Sequence, residues 1–416
     1  MNKSLDFVTK QTREVFDRLL QDTKVKAALT FLELDNDYTT NEQITITEIS
    51  APTFQEQERG EDYKKRLLEY GLKDVEIDNQ GNVFGVRYGS GNGPRLVVCA
   101  HLDTVFPEGT DVKAKVKDGK IYAPGIADDG RGLSAVLTLL RAFENSGVQT
   151  IGDIFFGATV GEEGLGDLYG VKALFENNQD IDGFISIEPG SPERITYLAT
   201  GSRRYHVTYS GPGGHSFGDF GKPSAIHALG RAIAEISNIQ TPNDPKTTFT
   251  VGTIQGGTSV NTISASAEML IDMRSVSSEY LVKLEEQVLE IVRTAANEEN
   301  SRWNTNELKV EGRLVGDRPA GSQSRDNIIV QASLAAASVL GFEPILDEPS
   351  STDSNVPIAL GIPAVTLGGG GGYGGCHTLD EFYDPTDAFY GVQKIFLTIL
   401  GLVGVEQVSQ PLLKRK

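Results

Sequence analysis

The sequence has 416 residues, of which 39% are hydrophobic and 23% are charged, and its formal net charge is -19 at pH 7. This length and composition predict a globular protein with two domains, and no apolar run approaches the length of a membrane span. The negative charge argues against nucleic acid and anionic membranes as partners. Two cysteines, Cys99 and Cys376, exclude a disulfide-dense secreted scaffold.

The N-terminal third predicts helices that cover a sheet. Residues 1–13 contain acids and no apolar core segment, which predicts no signal peptide and a cytoplasmic protein. Apolar positions recur at helical spacing in residues 4–34, which indicates one or two amphipathic helices. Residues 56–70 predict a further helix, and two short strands follow. We interpret the glycine-rich residues 89–93 as a hairpin turn into the next strand.

That next strand is the centre of the predicted fold. The apolar residues 96–99 run into His101 and Asp103, and residues two apart on a strand point the same way. Ligands of open α/β sheets gather at the carboxyl ends of such strands. A glycine-rich turn then carries Asp128 and Asp129 in front of a helix over residues 131–145. Histidine beside carboxylates is the ligand chemistry of zinc or a similar divalent metal.

Two more predicted strands end in acids. The strand over residues 154–160 leads into Glu162 and Glu163, and the strand over residues 183–187 leads into Glu188. Adjacent glutamates at a buried strand end repel each other unless a cation is near. One of them can bind metal while the other takes a proton from a metal-held water. Three strand ends with such residues predict a single shared site.

The pattern then changes to strand, helix, strand, strand, helix, strand. This order in residues 201–316 predicts a ferredoxin-like layer of one antiparallel sheet and two helices. Because α/β patterning resumes afterwards, we interpret it as an insertion into a domain formed by residues 1–200 and 317–416. The predicted fold class is α/β, with a mixed, mostly parallel sheet flanked by helices.

The last motif is a glycine run, residues 368–375, followed by Cys376 and His377. The run lacks the lysine of a phosphate-binding loop, so we expect a close backbone approach that delivers His377 to the site. Both cysteines lie beside candidate ligands. A thiolate ligand stays open, but we favour buried free thiols because carboxylates dominate the neighbourhood.

In this order, the motifs resemble the co-catalytic zinc peptidase family, which includes glutamate carboxypeptidase, di- and tripeptidases, aminoacylases and acetylornithine deacetylase. The resemblance rests on His101-x-Asp103, Gly125-x-x-Asp128, Glu162-Glu163, Glu188 and His377. It covers nearly the whole chain, including the insertion, which would be a lid or dimerisation domain.

The resemblance implies a centre of two Zn²⁺ ions per chain, for which Co²⁺ or Mn²⁺ are alternatives. His101 and Glu188 would bind one ion, Glu163 and His377 would bind the other, and Asp128 would bridge the two. The family usually has Lys or Arg two residues after the bridging aspartate, where this sequence has Gly130. That departure leaves open whether Asp128 or the next residue bridges, and we favour Asp128. The peptide bond after Asp128 is expected to be cis.

The remaining roles implied by the resemblance concern catalysis and substrate. Asp103 would orient a histidine ligand, and Glu162 would be the general base. His215 matches a histidine that reaches the reacting carbonyl, often from the partner of a homodimer. Asn261 and Arg274 match residues that hold a substrate carboxylate, a role that suits the planar guanidinium. A structural ion pair with Asp272 is the alternative for Arg274.

Together these roles predict an enzyme, a metallopeptidase that cleaves an amide bond in a small peptide with a free carboxylate through a metal-bridging hydroxide. Aminopeptidase-, carboxypeptidase- and di- or tripeptidase-like action are all compatible with them. An N-acyl amino acid deacylase is the alternative, because its substrate also carries an amide and a carboxylate. An inactive zinc-binding regulator is a weaker alternative, since such a protein should lack the base or a ligand.

Overall fold

The computed structural model describes residues 8–416. The described chain divides into two compact units: residues up to Leu198 with Ser322–Lys416 form the first, and Ala199–Gly321 form the second. The interval 201–316, expected to be an insertion, lies within the second unit. Residues 1–7, which carry part of the helix and signal-peptide predictions, lie outside the described residues.

The helices of the described residues are α1 (Lys10–Leu19), α2 (Thr23–Leu34), α3 (Asn36–Thr47), α4 (Gln57–Glu69), α5 (Gly130–Ser146), α6 (Tyr169–Asn177), α7 (Ala225–Ser237), α8 (Ser278–Arg302), α9 (Ile328–Val339), α10 (Asn355–Ala359) and α11 (Phe389–Val403). Within residues 8–416, no helix has both the length and the apolar character needed to cross a membrane.

The strands are β1 (Lys73–Ile77), β2 (Val83–Arg87), β3 (Arg95–His101), β4 (Lys115–Lys117), β5 (Lys120–Tyr122), β6 (Asp153–Thr159), β7 (Gly183–Glu188), β8 (Arg194–Thr196), β9 (Gly201–Ser210), β10 (Gly214–His215), β11 (Thr247–Gly256), β12 (Thr262–Ile263), β13 (Ser266–Ser275), β14 (Lys309–Arg318), β15 (Ile345–Leu346), β16 (Ala364–Gly368), β17 (Gly372–Gly374) and β18 (Phe382–Asp384).

The first unit is built on an eight-stranded sheet in the order β1-β2-β6-β3-β7-β16-β8-β15. The central pairs β6-β3, β3-β7 and β7-β16 are parallel, as is β8-β15, whereas β1-β2, β2-β6 and β16-β8 are antiparallel. Helices α5, α9 and α11 pack against this sheet. The predicted mixed, mostly parallel sheet flanked by helices is confirmed.

Burial explains why the central strands read as continuous apolar runs. In β3, the side chains from Leu96 to Ala100 are at most 1% exposed, as expected for a strand covered on both faces. Helix α5 is also buried along most of its length. Its N-cap is Asp129, whose side chain accepts a hydrogen bond from the Gly132 amide, and its C-cap is Gly147, which has a left-handed backbone with φ 62°.

A smaller antiparallel sheet in the first unit has the order β17-β18-β5-β4. Its central pair joins two distant parts of the chain, because Tyr122 of β5 lies opposite Phe382 of β18. Strand β5 precedes the Asp128 turn, and β18 follows His377. The sheet therefore holds together the two segments that carry these residues.

The second unit has a four-stranded antiparallel sheet in the order β11-β13-β9-β14, together with α7 and α8. The chain order β9, α7, β11, β13, α8, β14 and this strand order give the ferredoxin-like layer expected from the sequence. The short pair β10-β12 places His215 opposite Thr262.

The hairpin prediction for residues 89–93 is wrong. Strands β2 and β3, which flank these residues, do not pair, because β6 lies between them in the sheet. The glycines instead allow a close approach to the turn before β6: a Cβ on Gly89 would lie 2.3 Å from the carbonyl oxygen of Ile151. The Ser90 amide donates to the Thr150 carbonyl at 2.8 Å.

Candidate metal centre

The carboxyl ends of three neighbouring strands bring the predicted residues of the first unit together. His101 ends β3 and lies opposite Thr159 at the end of β6, so the loop with Glu162 and Glu163 follows beside it. Glu188 ends β7. Parallel strands with this register present their terminal side chains at one edge of the sheet, where open α/β proteins bind ligands.

The carboxylate of Asp128 lies between two histidines. Its Oδ1 is 3.0 Å from Nε2 of His101, and its Oδ2 is 3.1 Å from Nε2 of His377. Each histidine also has its own glutamate: Oε1 of Glu163 is 2.9 Å from the His377 nitrogen, and Oε2 of Glu188 is 3.9 Å from the His101 nitrogen. Two sets of ligand atoms therefore share one carboxylate.

Asp129 has a different environment from Asp128. Its Oδ2 accepts the backbone amide of His101 at 3.1 Å, and its Oδ1 accepts the amide of Gly132 at 2.9 Å. Although His101, Asp129 and Glu188 also form a compact donor group, both Asp129 oxygens already hold backbone amides. The two Asp128 oxygens, in contrast, face the rings of His101 and His377. The Asp128–Asp129 peptide bond is cis, as expected.

Asp103 organises the site through more contacts than its expected bond to histidine. Nδ1 of His101 lies 3.0 Å from the Asp103 backbone carbonyl and 3.5 Å from its Oδ1. The carboxylate also accepts the amides of Glu162 and Glu163, each at 3.0 Å, and the Thr53 hydroxyl at 2.9 Å. This completely buried carboxylate therefore sets the backbone of the Glu-Glu pair as well.

The electrostatics show how densely charge is packed. Burial lowers the pKa of His101, but hydrogen bonds to Asp103 and Asp128 outweigh it and raise this pKa well above its ordinary value. Hydrogen bonds to Asp128 and then Glu163 raise the pKa of His377 to about 10. Burial is the main reason that the pKa of Glu188 is raised well above its ordinary value, and the negative charges of Asp129 and Asp128 raise it further.

The donor set fits divalent metal ions. His101, Asp128 and Glu163 each offer a ligand atom, and these atoms lie within 4.8 Å of one another. Imidazole nitrogens and carboxylate oxygens are ligands of zinc and of similar divalent ions. The acidic side chains of Glu163, which is buried, and of Asp128 and Glu188, which are partly buried, lie close together and need compensating positive charge. Protonated histidines supply this charge in the metal-free chain, and metal ions would supply it in their place.

The other predicted site residues, His215, Asn261 and Arg274, lie in the second unit. Nδ1 of His215 accepts the backbone amides of Phe217 and Gly218, each at 3.2 Å. Because Nδ1 accepts these two amides, Nε2 is the ring nitrogen that remains as a donor.

Asn261 and Arg274 are each engaged within the second unit. Oδ1 of Asn261 accepts the Ser259 hydroxyl at 2.7 Å. Nε of Arg274 donates to Oδ2 of Asp272 at 2.7 Å, which is the ion pair that the sequence left open as an alternative. The Arg274 side chain remains 42% exposed.

Two residues at the centre were missed by the sequence analysis. The carboxylate of Glu381 accepts the amides of Gly125, Ala127 and Asp128, each at 2.9 Å, and burial raises the pKa of Glu381 to about 7. Arg131 is completely buried and donates to backbone carbonyls. The only available signal was that both follow a predicted ligand closely in sequence.

Neither cysteine forms a disulfide. Cys99 is buried, whereas Cys376 is only partly buried, so the prediction of burial is wrong for Cys376. Burial raises the pKa of the Cys376 thiol to about 12, which keeps it protonated in the metal-free chain.

Comparison with known proteins agrees with this geometry. The model of peptidase family M20/M25/M40 matches residues 97–400. An uncharacterized protein YqjE of Bacillus subtilis is 26% identical over 353 residues, which are 82% of this chain and 91% of the relative. A succinyl-diaminopimelate desuccinylase of Nitrosococcus oceani is 29% identical over 248 residues, which are 55% of this chain and 65% of the relative.

Solved structures show the same fold. The aminopeptidase PepT of Bacillus cereus superposes with a TM-score of 0.70 at 24% identity, covering 88% of this chain and 98% of that one. The YXEP protein of Bacillus subtilis, described as a dinuclear metal-binding peptidase, gives 0.63 at 17% identity, covering 89% and 99%. The chain therefore belongs to peptidase family M20/M25/M40. It is a hydrolase of the peptidase and amidohydrolase type.

Proposed function

We propose that this chain hydrolyses the amide bond of a small peptide that carries a free carboxylate, at a centre of two divalent metal ions, with Zn²⁺ as the expected ion. The observation that carries the proposal is the position of Asp128 between two histidines, each with its own glutamate. One carboxylate shared by two sets of donor atoms would allow two divalent ions to be held side by side, as in two-metal hydrolytic sites.

The residues that would hold the ions are His101 and Glu188 for one, Glu163 and His377 for the other, and Asp128 for both. When bound, the two ions would supply Lewis acidity and lower the pKa of a water between them. The description of a fold neighbour as a dinuclear metal-binding peptidase supports this count. Asp103 would keep the His101 ring oriented, since both its carbonyl and its carboxylate face Nδ1.

Glu162 would act as general base and then as general acid. It accepts the proton of the attacking water and returns it to the leaving nitrogen of the amide. The side chain is 5% exposed, and its backbone amide is held by Asp103, so the carboxylate starts from a fixed main-chain position.

His215 would stabilise negative charge on the carbonyl oxygen of the substrate. The two amides that donate to its Nδ1 leave Nε2–H as the ring's hydrogen-bond donor. A neutral donor aimed at a developing oxyanion commonly contributes about 3–4 kcal/mol to transition-state stability. Since His215 is in the second unit and the metal ligands are in the first, we extend the proposal to a homodimer in which His215 serves the partner's site.

Arg274 and Asn261 would bind the terminal carboxylate of the substrate. In Arg274 the ion pair to Asp272 uses Nε and leaves the side chain 42% exposed, which is compatible with a second carboxylate on the guanidinium. This role favours short peptides over long chains, because the terminal carboxylate must lie near the cleaved amide.

Deacylation of an N-acyl amino acid is the second candidate. The similarity to a desuccinylase supports it, and its substrate carries the same amide and carboxylate. The metal ligands and Glu162 serve both reactions equally, so only the pocket for the acyl or aminoacyl group separates the two.

The test is a substrate panel assayed with the metal-loaded chain. Dipeptides, tripeptides and N-acyl amino acids are compared, each with its carboxylate free and as the methyl ester. We expect hydrolysis of a free-carboxylate peptide, loss of activity on chelation and recovery with Zn²⁺, Co²⁺ or Mn²⁺. No hydrolysis of any amide by the metal-loaded chain, or full activity under chelation, would contradict the proposal, and a preference for N-acyl amino acids would select the second candidate.

A further inference from the structure

Two charged side chains, buried next to the proposed metal centre, each hold the backbone of the other's segment. Glu381 follows His377 on the segment that ends in β18, whereas Arg131 follows Asp128 at the start of α5. Both are completely buried. Buried charges are costly unless their hydrogen bonds are satisfied, so their contacts indicate a task.

The carboxylate of Glu381 binds the turn that carries Asp128. One oxygen accepts the amides of Ala127 and Asp128, and the other accepts the amide of Gly125, all at 2.9 Å. Among the described residues, no cationic side chain forms an ion pair with Glu381, so backbone amides are its partners. Three amides that converge on one carboxylate define where the Asp128 backbone lies.

The guanidinium of Arg131 binds the segments on either side of His377. Its Nε donates to the carbonyl of Gly369 at 2.8 Å, and its Nη2 donates to the carbonyl of Ala388 at 3.0 Å. The absence of a side chain at position 369 permits this approach, because a Cβ there would lie 3.0 Å from Cγ of Arg131. Tyr383 adds a hydroxyl bond to the Gly370 carbonyl at 3.0 Å and lies under the guanidinium.

The two contacts run in opposite directions between the same two segments. Glu381 of the His377 segment accepts hydrogen bonds from amides of the Asp128 segment. Arg131 of the Asp128 segment donates hydrogen bonds to carbonyls of the segments around His377. Strand pairing between β5 and β18 adds a third tie. The distance that these ties control is the 3.1 Å between Oδ2 of Asp128 and Nε2 of His377.

We infer that Glu381 and Arg131 are positioning residues, a reciprocal clamp that aligns Asp128 with His377 and thereby sets the affinity of the ion held by Glu163 and His377. This inference rests on the proposed two-metal function. It gives Arg131 a structural role next to the position where this sequence departs from the family pattern. The family usually has Lys or Arg at that position, and this sequence has Gly130.

The first experiment measures metal binding to Glu381→Gln and Arg131→Lys chains by calorimetric titration with Zn²⁺. A His377→Ala chain identifies which binding step belongs to the ion held by Glu163 and His377, called the clamped ion below. We expect that step to weaken about 10- to 100-fold in both variants, as for other residues that support metal ligands. The other step, which uses Asp128 but not His377, should weaken less. The double variant should lose less than the product of the two single losses, because both act on one alignment.

The matched controls come from another buried glutamate and arginine in the same unit. Glu42→Gln and Arg141→Lys alter a glutamate of α3 and an arginine ten residues after Arg131 on α5, and these two side chains pair with each other. These variants should lose stability and keep both metal affinities. Wild-type affinity of the clamped step in folded Glu381→Gln and Arg131→Lys chains would overturn the inference.

The second experiment works without metal and separates the clamp from the proposed function. Hydrogen exchange of residues 123–129 is followed in the metal-free chains. We expect both variants to accelerate it about tenfold or more. The two controls should change it much less, because α3 contacts this segment through the bond from Gln43 to the Ile126 carbonyl and not through Glu42 or Arg141. Unchanged exchange in Arg131→Lys would overturn the reciprocity even if the protein binds metal. If the wild-type chain took up no metal, the proposed function would fail, while the exchange data would still decide on the clamp.

Discussion

Glu162 and Glu163 are neighbours in sequence, yet the proposal gives them different tasks. Glu163 faces His377 at 2.9 Å and would bind metal, whereas Glu162 would move a proton. We expect Glu162→Gln to keep its metal and lose about 10²- to 10⁴-fold in kcat, because an amide does not accept the proton. Steady-state kinetics with elemental analysis measure this.

The control for that prediction is Glu163→Gln, which should lose metal as well as activity. Near-normal turnover of a metal-replete Glu162→Gln chain would remove Glu162 from the role of base. Loss of metal in Glu162→Gln would instead make it a ligand.

Lys394 is a second residue with a testable consequence, far from catalysis. It is completely buried on α11, its Nζ donates to the Arg194 carbonyl at 2.6 Å, and burial lowers the pKa of Lys394 to about 7. The unfolded chain keeps an ordinary lysine pKa of about 10.4. Between these values the unfolded state binds more protons, so the stability contributed by Lys394 rises with pH by about 1.4 kcal/mol per unit.

We therefore expect Lys394→Met to stabilise the protein most at or below pH 7, with an advantage that shrinks as the pH approaches 10. Urea unfolding of both chains at several pH values gives the difference, in which all other titrating groups cancel. A difference that stays constant from pH 7 to 10 would refute this account of Lys394.

At the residue scale, candidate ligands were predictable where they end or closely follow an apolar strand. His101 and Glu188 end β3 and β7, and Glu163 follows the end of β6 by four residues, so the edge of the sheet fixes their positions. Glu381 was not readable, because its partners are backbone amides of a segment more than two hundred residues away, and amides carry no sequence signal.

At the scale of elements, helix α3 shows where the sequence pattern does not reveal a helix. Its sequence is rich in threonine and polar residues, which are weak helix formers, and no prediction was made for it. Tertiary contacts hold it: Arg141 of α5 bonds Asp35 at 2.7 Å and Glu42 at 2.5 Å, and the Thr39 and Thr138 hydroxyls bond at 2.6 Å. The helices α4 and α5 were predictable because a helical stripe of apolar residues is visible in their local sequences.

Non-local pairing also explains the error at residues 89–93. Consecutive strands usually pair, which favoured a hairpin. Here β6, which follows more than fifty residues later, lies between β2 and β3. Nothing in the local glycine pattern reveals such an intervening strand.

Arg141 provides the prediction at this scale. The side chains of Arg141 and Glu42 are 11% and 4% exposed, so removing the guanidinium leaves a buried carboxylate with less compensation. We expect Arg141→Ala to lower the free energy of unfolding by about 3–5 kcal/mol. The control is Lys65→Ala, which breaks an exposed pair with Glu69 on α4 and should change stability far less.

Denaturant unfolding of both variants measures the difference. Equal, small effects of Arg141→Ala and Lys65→Ala would show that the buried network does not hold α3 in place.

For the whole molecule, the central question is how the two units cooperate. All proposed metal ligands belong to the first unit and His215 to the second, and the proposed homodimer lets His215 act across chains. We expect co-expressed Glu162→Gln and His215→Ala chains, each inactive alone, to recover activity in mixed dimers. There, one site combines an intact Glu162 with an intact His215 from the other chain.

Differently tagged chains allow the mixed dimer to be isolated before the assay. Mixed dimers that form and stay inactive would place His215 in its own chain's site. Sedimentation that shows only monomer would end the proposal of a homodimer.

Two metal ions that share Asp128 are the central feature of the proposed site, and anomalous diffraction from crystals of the zinc-loaded chain tests their presence directly. We expect two peaks about 3.5–4 Å apart on either side of the Asp128 carboxylate. One should lie about 2.0–2.2 Å from ligand atoms of His101 and Glu188, and the other at similar distances from Glu163 and His377. A single peak, or a pair bridged by Asp129, would contradict the account.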